Sequence, residues 1–169
     1  MSYCVVRTDL MFGTDVRSGL VSVKYMGSGS STPTEIQNGN VLKLGSLVSG
    51  EREVYIGGNI AANDAVKDVV LVASPEVMYD ERKRNLDEYI NEAGKIIRGY
   101  RFHNGDVFSV TKDGIDGKET PEVGDIVEFK AGTKLNVVAS ATSGSTVLGK
   151  IIAVDVVGRY TYYVIKVEM

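Results

Sequence analysis

The chain has 169 residues, 43% of them hydrophobic, with 19 glycines against 3 prolines and no tryptophan, so a packed core is affordable and many tight turns are expected. Nineteen Lys+Arg against 22 Asp+Glu leave a net charge of −3, which argues against a protein that must neutralise a run of nucleic-acid phosphates. A single cysteine, Cys4, excludes an internal disulfide and a cysteine-based zinc cluster, and a single histidine, His103, excludes His-rich metal sites.

The opening residues carry Arg7 and Asp9 and lack the apolar core of a secretion signal. No run approaches the roughly 18 apolar residues of a membrane helix. The expectation is a soluble product made in a cytoplasm, with no membrane partner.

Four segments are expected: an extended arm over 1–32, a first β unit over 33–79, a helix over 80–94 and a second β unit over 95–169. In the arm, Tyr3-Cys4-Val5-Val6 reads as a short strand. Met11-Phe12-Gly13 follows, then the alternating Leu20-Val21-Ser22-Val23-Lys24-Tyr25. Residues 27–32 are Gly/Ser-rich and read as a flexible tether. Two readings of the arm stay open. It adds a strand to its own domain, or it pairs with the sheet edge of a neighbouring subunit.

Beyond the tether a small motif recurs three times, as Gly39-Asn40-Val41, Gly105-Asp106-Val107 and Gly124-Asp125-Ile126. Each places a glycine and an Asn or Asp ahead of an apolar strand, so the chain turns before it extends. Asn38-Gly39 and Asn104-Gly105 are also hairpin signals. The uneven spacing argues against a solenoid. Further strands are expected at 53–56, 68–73, 95–102, 134–139, 149–156 and 161–167, where β-branched and aromatic residues dominate. The last two flank Gly158-Arg159-Tyr160, a turn of hairpin size.

One segment departs from this pattern. Leu86, Tyr89, Ile90 and Ala93 fall at helical spacing, Gly94 sits where a cap belongs, and 80–93 reads as one amphipathic helix. Its Arg82-Lys83-Arg84 run is interspersed with acids and reads as a solvated face.

Catalytic chemistry is sparse. His103 abuts a turn, and Cys4 reads as a small apolar residue rather than a nucleophile. Asp113-Gly114-Ile115-Asp116-Gly117 starts like a calcium loop, but its twelfth position is Gly124 where a glutamate is required. Two Asp-Gly turns account for it. Nor does a phosphate-cradle lysine follow the Gly/Ser stretch. Tyr160, Tyr162 and Tyr163 cluster near the C-terminus, while Tyr100 and Phe102 alternate on one strand. Core or interface packing is the default for them, with sugar stacking as the alternative. The fold class is mainly β: small β-barrel or sandwich-like units with one amphipathic helix and an extended N-terminal arm.

Three stretches carry a family resemblance: Ile36-Gln37-Asn38-Gly39-Asn40-Val41-Leu42-Lys43-Leu44-Gly45 continuing to Tyr55, Val69-Val70-Leu71-Val72-Ala73-Ser74-Pro75-Glu76, and Gly94-Lys95-Ile96-Ile97-Arg98-Gly99-Tyr100-Arg101 with Gly105-Asp106-Val107 beyond. Over residues 34–169 the chain resembles tailed-phage head-decoration proteins, the β-rich auxiliary proteins on the outside of a capsid. It looks most like those of phages and prophages of Gram-positive bacteria. The resemblance implies a non-enzymatic virion protein that bridges major capsid protein subunits and stabilises the shell, without cofactor, metal or nucleic acid. It places the product on the capsid exterior after synthesis in the bacterial cytoplasm, and leaves self-association, as a trimer or another homo-oligomer, open. The contact residues expected on this basis are Val5, Val6, Leu20, Val21, Val23 and Tyr25 of the arm. The alternatives are a head-fibre, tail or carbohydrate-binding module, suggested by the tyrosines, and a carboxylate-based hydrolase, which needs two acids facing across a cleft.

Overall fold

The computed structural model describes residues 3–7, 19–27, 32–80, 82–83 and 85–169. Met11-Phe12-Gly13 and the tether residues 28–31 lie outside them. The chain is mainly β, with strands β1 (Leu20–Tyr25), β2 (Val41–Leu47), β3 (Val54–Gly58), β4 (Val69–Val72), β5 (Ile97–Arg101), β6 (Val107–Thr111), β7 (Ile115–Gly117), β8 (Ile126–Glu128), β9 (Leu135–Val138), β10 (Val147–Val157) and β11 (Tyr160–Val167). The first five close a barrel in the order β1-β3-β2-β4-β5. The rest form a curled six-stranded sheet in the order β6-β11-β10-β8-β9-β7.

The two sheets share one plan. In the barrel, β1 runs parallel to β3, and every other pair is antiparallel. In the second sheet, β7 runs parallel to β9, and every other pair is again antiparallel. If β6 and β7 are taken as two halves of one strand, interrupted by the tight turn Lys112–Gly114, the sheet repeats the barrel strand for strand. The β6 half then meets β11 as β1 meets β5, and the β7 half meets β9 as β1 meets β3.

Two of the three copies of the Gly-Asn/Asp motif sit at matching places in this plan. The first and third copies lead into β2 and β8, which occupy the same position, and the second leads into β6. Gly39, Gly105 and Gly124 all have positive φ, at 82°, 93° and 97°, as the turn requires. In the second and third copies the aspartate closes the turn. Asp106 accepts the His103 N–H at 2.8 Å, and Asp125 accepts the Glu122 N–H at 2.7 Å. Neither Asn-Gly makes a hairpin, because the strand after each turn does not pair with the segment before it. Asn104-Gly105 carries the chain from the barrel to the second sheet.

One hydrophobic core runs through both units. It joins Val41, Val69 and Leu71 of the barrel to Phe108, Val127, Phe129, Leu135 and Ile165 of the second sheet. Phe102 and Phe108 meet across the junction with ring centroids 5.6 Å apart. Backbone bonds add to the seam: Ile60 and Gly132 exchange two, and Val41 donates to Thr133 at 2.7 Å. A second, smaller core of Val23, Leu42, Val70, Val72 and Ile97 fills the barrel alone.

The arm belongs to this seam. Val6 bridges Val110 of β6 in antiparallel fashion, and Thr111 donates its N–H to Val5 at 3.2 Å. The Cys4 side chain sits against Gly39 of one unit and Gly114 of the other, and a Cβ on either glycine would overlap its sulfur. Val21 and Val23 of β1 then complete the barrel by pairing with β5. Both described parts of the arm therefore add strands to their own chain.

The expected helix over 80–93 does not form. Glu81 and Arg84 lie outside the described residues, and the rest is extended or turned, with only the 3-10 turn Leu86–Glu88. The physical reason is competition. Asp80 accepts the Arg82 N–H and pairs with its guanidinium, which fixes a local turn. Tyr89 is extended, with φ −79° and ψ 133°, so Asn91 can exchange two backbone bonds with Ile36. The Asn91 side chain also donates to Asn38 at 3.0 Å. A lone helix of this length is marginal in water, and these long-range bonds outweigh it.

Gly114 has ordinary backbone angles, so Gly114→Ala tests the seam without backbone strain. It is expected to cost about 1–3 kcal/mol through overlap with Cys4. In a Cys4→Ala background, the same substitution should cost less than half as much. Urea unfolding of the four proteins of this cycle measures the coupling.

Candidate interaction surface

Most of the arm residues expected to face a partner are turned inward. Val5, Val6 and Val23 are buried, Tyr25 donates its hydroxyl to Asn59 at 2.8 Å from the edge of the barrel core, and Val21 packs against that core. Burial in the chain's own interior removes Val5, Val6, Val23 and Tyr25 from any outer contact surface in this fold. Leu20 differs. It is exposed, and with Val21 it lines a groove of about 770 Å3.

That groove lies between the outside of the barrel at residues 20–22 and the long connection from β4 to β5. The connection is extended because its polar groups are satisfied by the barrel. Asn38 is the hub. Its side chain donates to the Ser74 carbonyl at 2.8 Å and to Glu76 at 3.1 Å, and it accepts the Ser74 N–H at 3.0 Å. Ser74 in turn accepts the Arg98 N–H through its hydroxyl. A residue that reads from sequence as half of an Asn-Gly turn is thus the buried clamp of the groove's wall.

Apolar side chains rise around the groove and are exposed. Tyr79 is 89% exposed, and Val77 and Ile96 are each 58% exposed. Charges of both signs are interspersed, including the Lys95–Glu92 pair at 2.7 Å. Burial, with Glu76 nearby, pushes the Tyr89 hydroxyl above its usual value, so it stays protonated and donates to Asn91 at 3.2 Å. Sequence spacing could not assemble this surface, because its parts come from β1, the connection and β5.

The remaining chemical groups are held in structural roles. Burial pushes the Cys4 thiol up to about 12, which makes it a packed apolar group at neutral pH. His103 lies in the turn closed by Asp106. Asp116 belongs to β7, a strand in a segment whose sequence suggests only turns. Among the described residues, no group of three or more His, Cys, Asp or Glu is placed to hold a metal ion. Tyr162 and Tyr163 are buried, which leaves neither ring free to stack on a sugar. Arg159 lies over the Tyr160 ring, 4.9 Å from its centroid, and both reach Asp87, which ties the hairpin tip to the 3-10 turn.

Of the buried carboxylates, Glu128, Asp64 and Asp125 are held below their usual range. Burial alone would raise Glu128, but the Thr142 N–H at 2.8 Å and the Asn136 amide at 2.9 Å outweigh it and hold the carboxyl below its usual range. Asp64 is lowered against its burial by the Ala61 N–H and by Lys43, and Asp125 by the Glu122 N–H and Lys118. Comparison with protein-family models, with curated proteins and with solved structures gives no match to this chain.

Depressed folded values mean that these groups stabilise the fold above the ordinary carboxylate range, and that the contribution is lost as pH falls through their folded values. The urea midpoint is therefore expected to drop below about pH 4. Glu128→Ala leaves the Thr142 N–H without its acceptor and should cost about 1–3 kcal/mol at pH 7. The gap between this variant and the parent should narrow on acidification, as urea titrations at a series of pH values would show.

Proposed function

We propose that this protein is a non-enzymatic structural component of a virion, seated on the outside of an assembled phage capsid. In this role it braces neighbouring major capsid protein subunits. The observation that carries the proposal is the rim of exposed apolar side chains, Val77, Tyr79 and Ile96, on one fused two-unit body. Apolar groups clustered on a surface mark a docking site more often than scattered ones do. The resemblance of residues 34–169 to head-decoration proteins supplies the identity of the surface they would meet.

The physics suits a brace. A protein that binds only the assembled lattice stabilises that lattice by mass action. Many copies, each touching more than one subunit, hold by avidity without high affinity per contact. A body whose two units share one core transmits load between its contacts instead of hinging between them. In this reading the contact face is the groove rim, and Leu20 and Val21 are the members of the expected arm set that line the groove.

Full-length protein mixed with undecorated shells of a tailed phage of a Gram-positive host is expected to co-sediment with them. Replacing Val77, Tyr79 and Ile96 together by serine should weaken binding about tenfold or more, on the scale of lost interface anchors. Thermal unfolding of that variant should be unchanged, since all three side chains are exposed. Absence of the protein from the pelleted shells would overturn the proposal.

A further inference from the structure

The outer edge of β10 is open beyond its short pairing with β8. The barrel has no free edge in its order of strands. The outer side of β6 is covered by the arm, through the Val6–Val110 bridge and the Arg7 N–H to Ser109 bond. In contrast, β10 pairs with β8 only from Val147 to Lys150. Beyond the bulge at Ile151/Ala153 it continues in regular register with β11 alone, from Ala153 opposite Val164 to Val157 opposite Tyr160. Among the described residues, no backbone hydrogen bond joins 153–157 to anything but β11.

Exposed edges are blunted by proline, charged side chains, a bulge or a covering loop. Of the usual protections this edge carries one charge, Asp155, and the bulge that precedes it at Ile151/Ala153. Residues 153–157 read Ala-Val-Asp-Val-Val, and their register with β11 is unbroken. Val154 and Val156 project from one face, at 38% and 73% exposure, while Asp155 projects from the other. Asp155 forms no ion pair among the described residues. Five residues of open ladder span about 17 Å, the length of an ordinary strand.

The charge selects the occupant. A second copy pairing antiparallel about a two-fold axis, using all of 153–157, would set Asp155 directly opposite its own counterpart. Like charges directly opposite across strands destabilise the pair. A strand from a different protein with lysine or arginine at that position gains where a second copy loses. We infer that residues 153–157 of β10 form a strand-addition site for an extended segment of another protein, apolar at alternate positions and basic opposite Asp155. This names a contact for the brace proposed above, and it rests on that proposal only for the source of the segment.

The test uses the full chain and two fluorescein-labelled peptides, Thr-Val-Lys-Val-Thr and Thr-Val-Glu-Val-Thr, read by fluorescence anisotropy. The lysine peptide is expected to bind about fivefold or more tightly than the glutamate peptide, and Asp155→Lys should reverse that order. Hydrogen exchange should slow at 153–157 when the lysine peptide is present. Asp155 is exposed, so thermal unfolding of the variant should match the parent and keep the comparison clean. No binding of either peptide, equal binding of both, or a preference that survives Asp155→Lys would overturn the inference. A dimer of the parent that Asp155→Lys alters would overturn it too, because the edge would then belong to a second copy. No shells enter this experiment, so its failure is distinct from a failure to co-sediment.

Discussion

The Cys4 sulfur, lodged between the backbones of Gly39 and Gly114, is the contact on which the two-unit arrangement depends. One glycine belongs to the turn before β2 and the other to the turn between β6 and β7. Neither can carry a side chain while Cys4 is in place. The arm thus enters at a glycine of each unit, and Cys4 joins the core that the two units share. Burial keeps the thiol protonated, so its contribution is shape and apolar area, not reactivity. Because the same core includes Val41 and Leu71 on one side and Phe108 and Ile165 on the other, the two units bury these faces against each other.

The repeated plan of the two sheets explains two copies of the Gly-Asn/Asp motif, those before β2 and β8. Topology repeats, while loop lengths do not, so equivalent turns fall at unequal distances along the chain. The difference between the units lies in the first strand. In the barrel a single strand, β1, serves both β3 and β5. In the second sheet that task is divided between β6 and β7, and the break at Lys112–Gly114 is where Cys4 docks. The second sheet gives up continuity at the place where the arm makes its closest approach.

Most strands were legible from residue pattern alone. Alternation of β-branched and aromatic residues marked β1, β5, β10 and β11, a continuous apolar run marked β4, and the turns at Gly39, Gly105 and Gly124 were marked by their composition. The stripe of Leu86, Tyr89 and Ile90 misled because spacing reports what a segment could do alone. The competing bonds of Asn91 with Ile36 and Asn38 join residues more than fifty positions apart. Strand β7 escaped notice because three residues ending in glycine carry no alternation. The arm offered Val5, Val6, Val23 and Tyr25 as apolar residues without saying whose core they would fill, and burial answers that question. The groove rim was least legible, since Tyr79, Ile96 and Leu20 are neighbours only after the barrel closes. Asn38, read as part of a turn, became the hub of a buried network for the same reason.

The placement of the arm also bears on how the chain reaches its folded state. Val5 donates to the Thr111 hydroxyl across 106 positions of sequence, so β6 must exist before residues 4–6 have a ladder to join. On a ribosome the earlier segment waits, exposed, while the barrel and the start of the second sheet are translated. Such high contact order predicts slow acquisition of the final state compared with a helical bundle of equal length. The interval leaves an apolar stretch accessible to chaperones or to a neighbouring nascent chain.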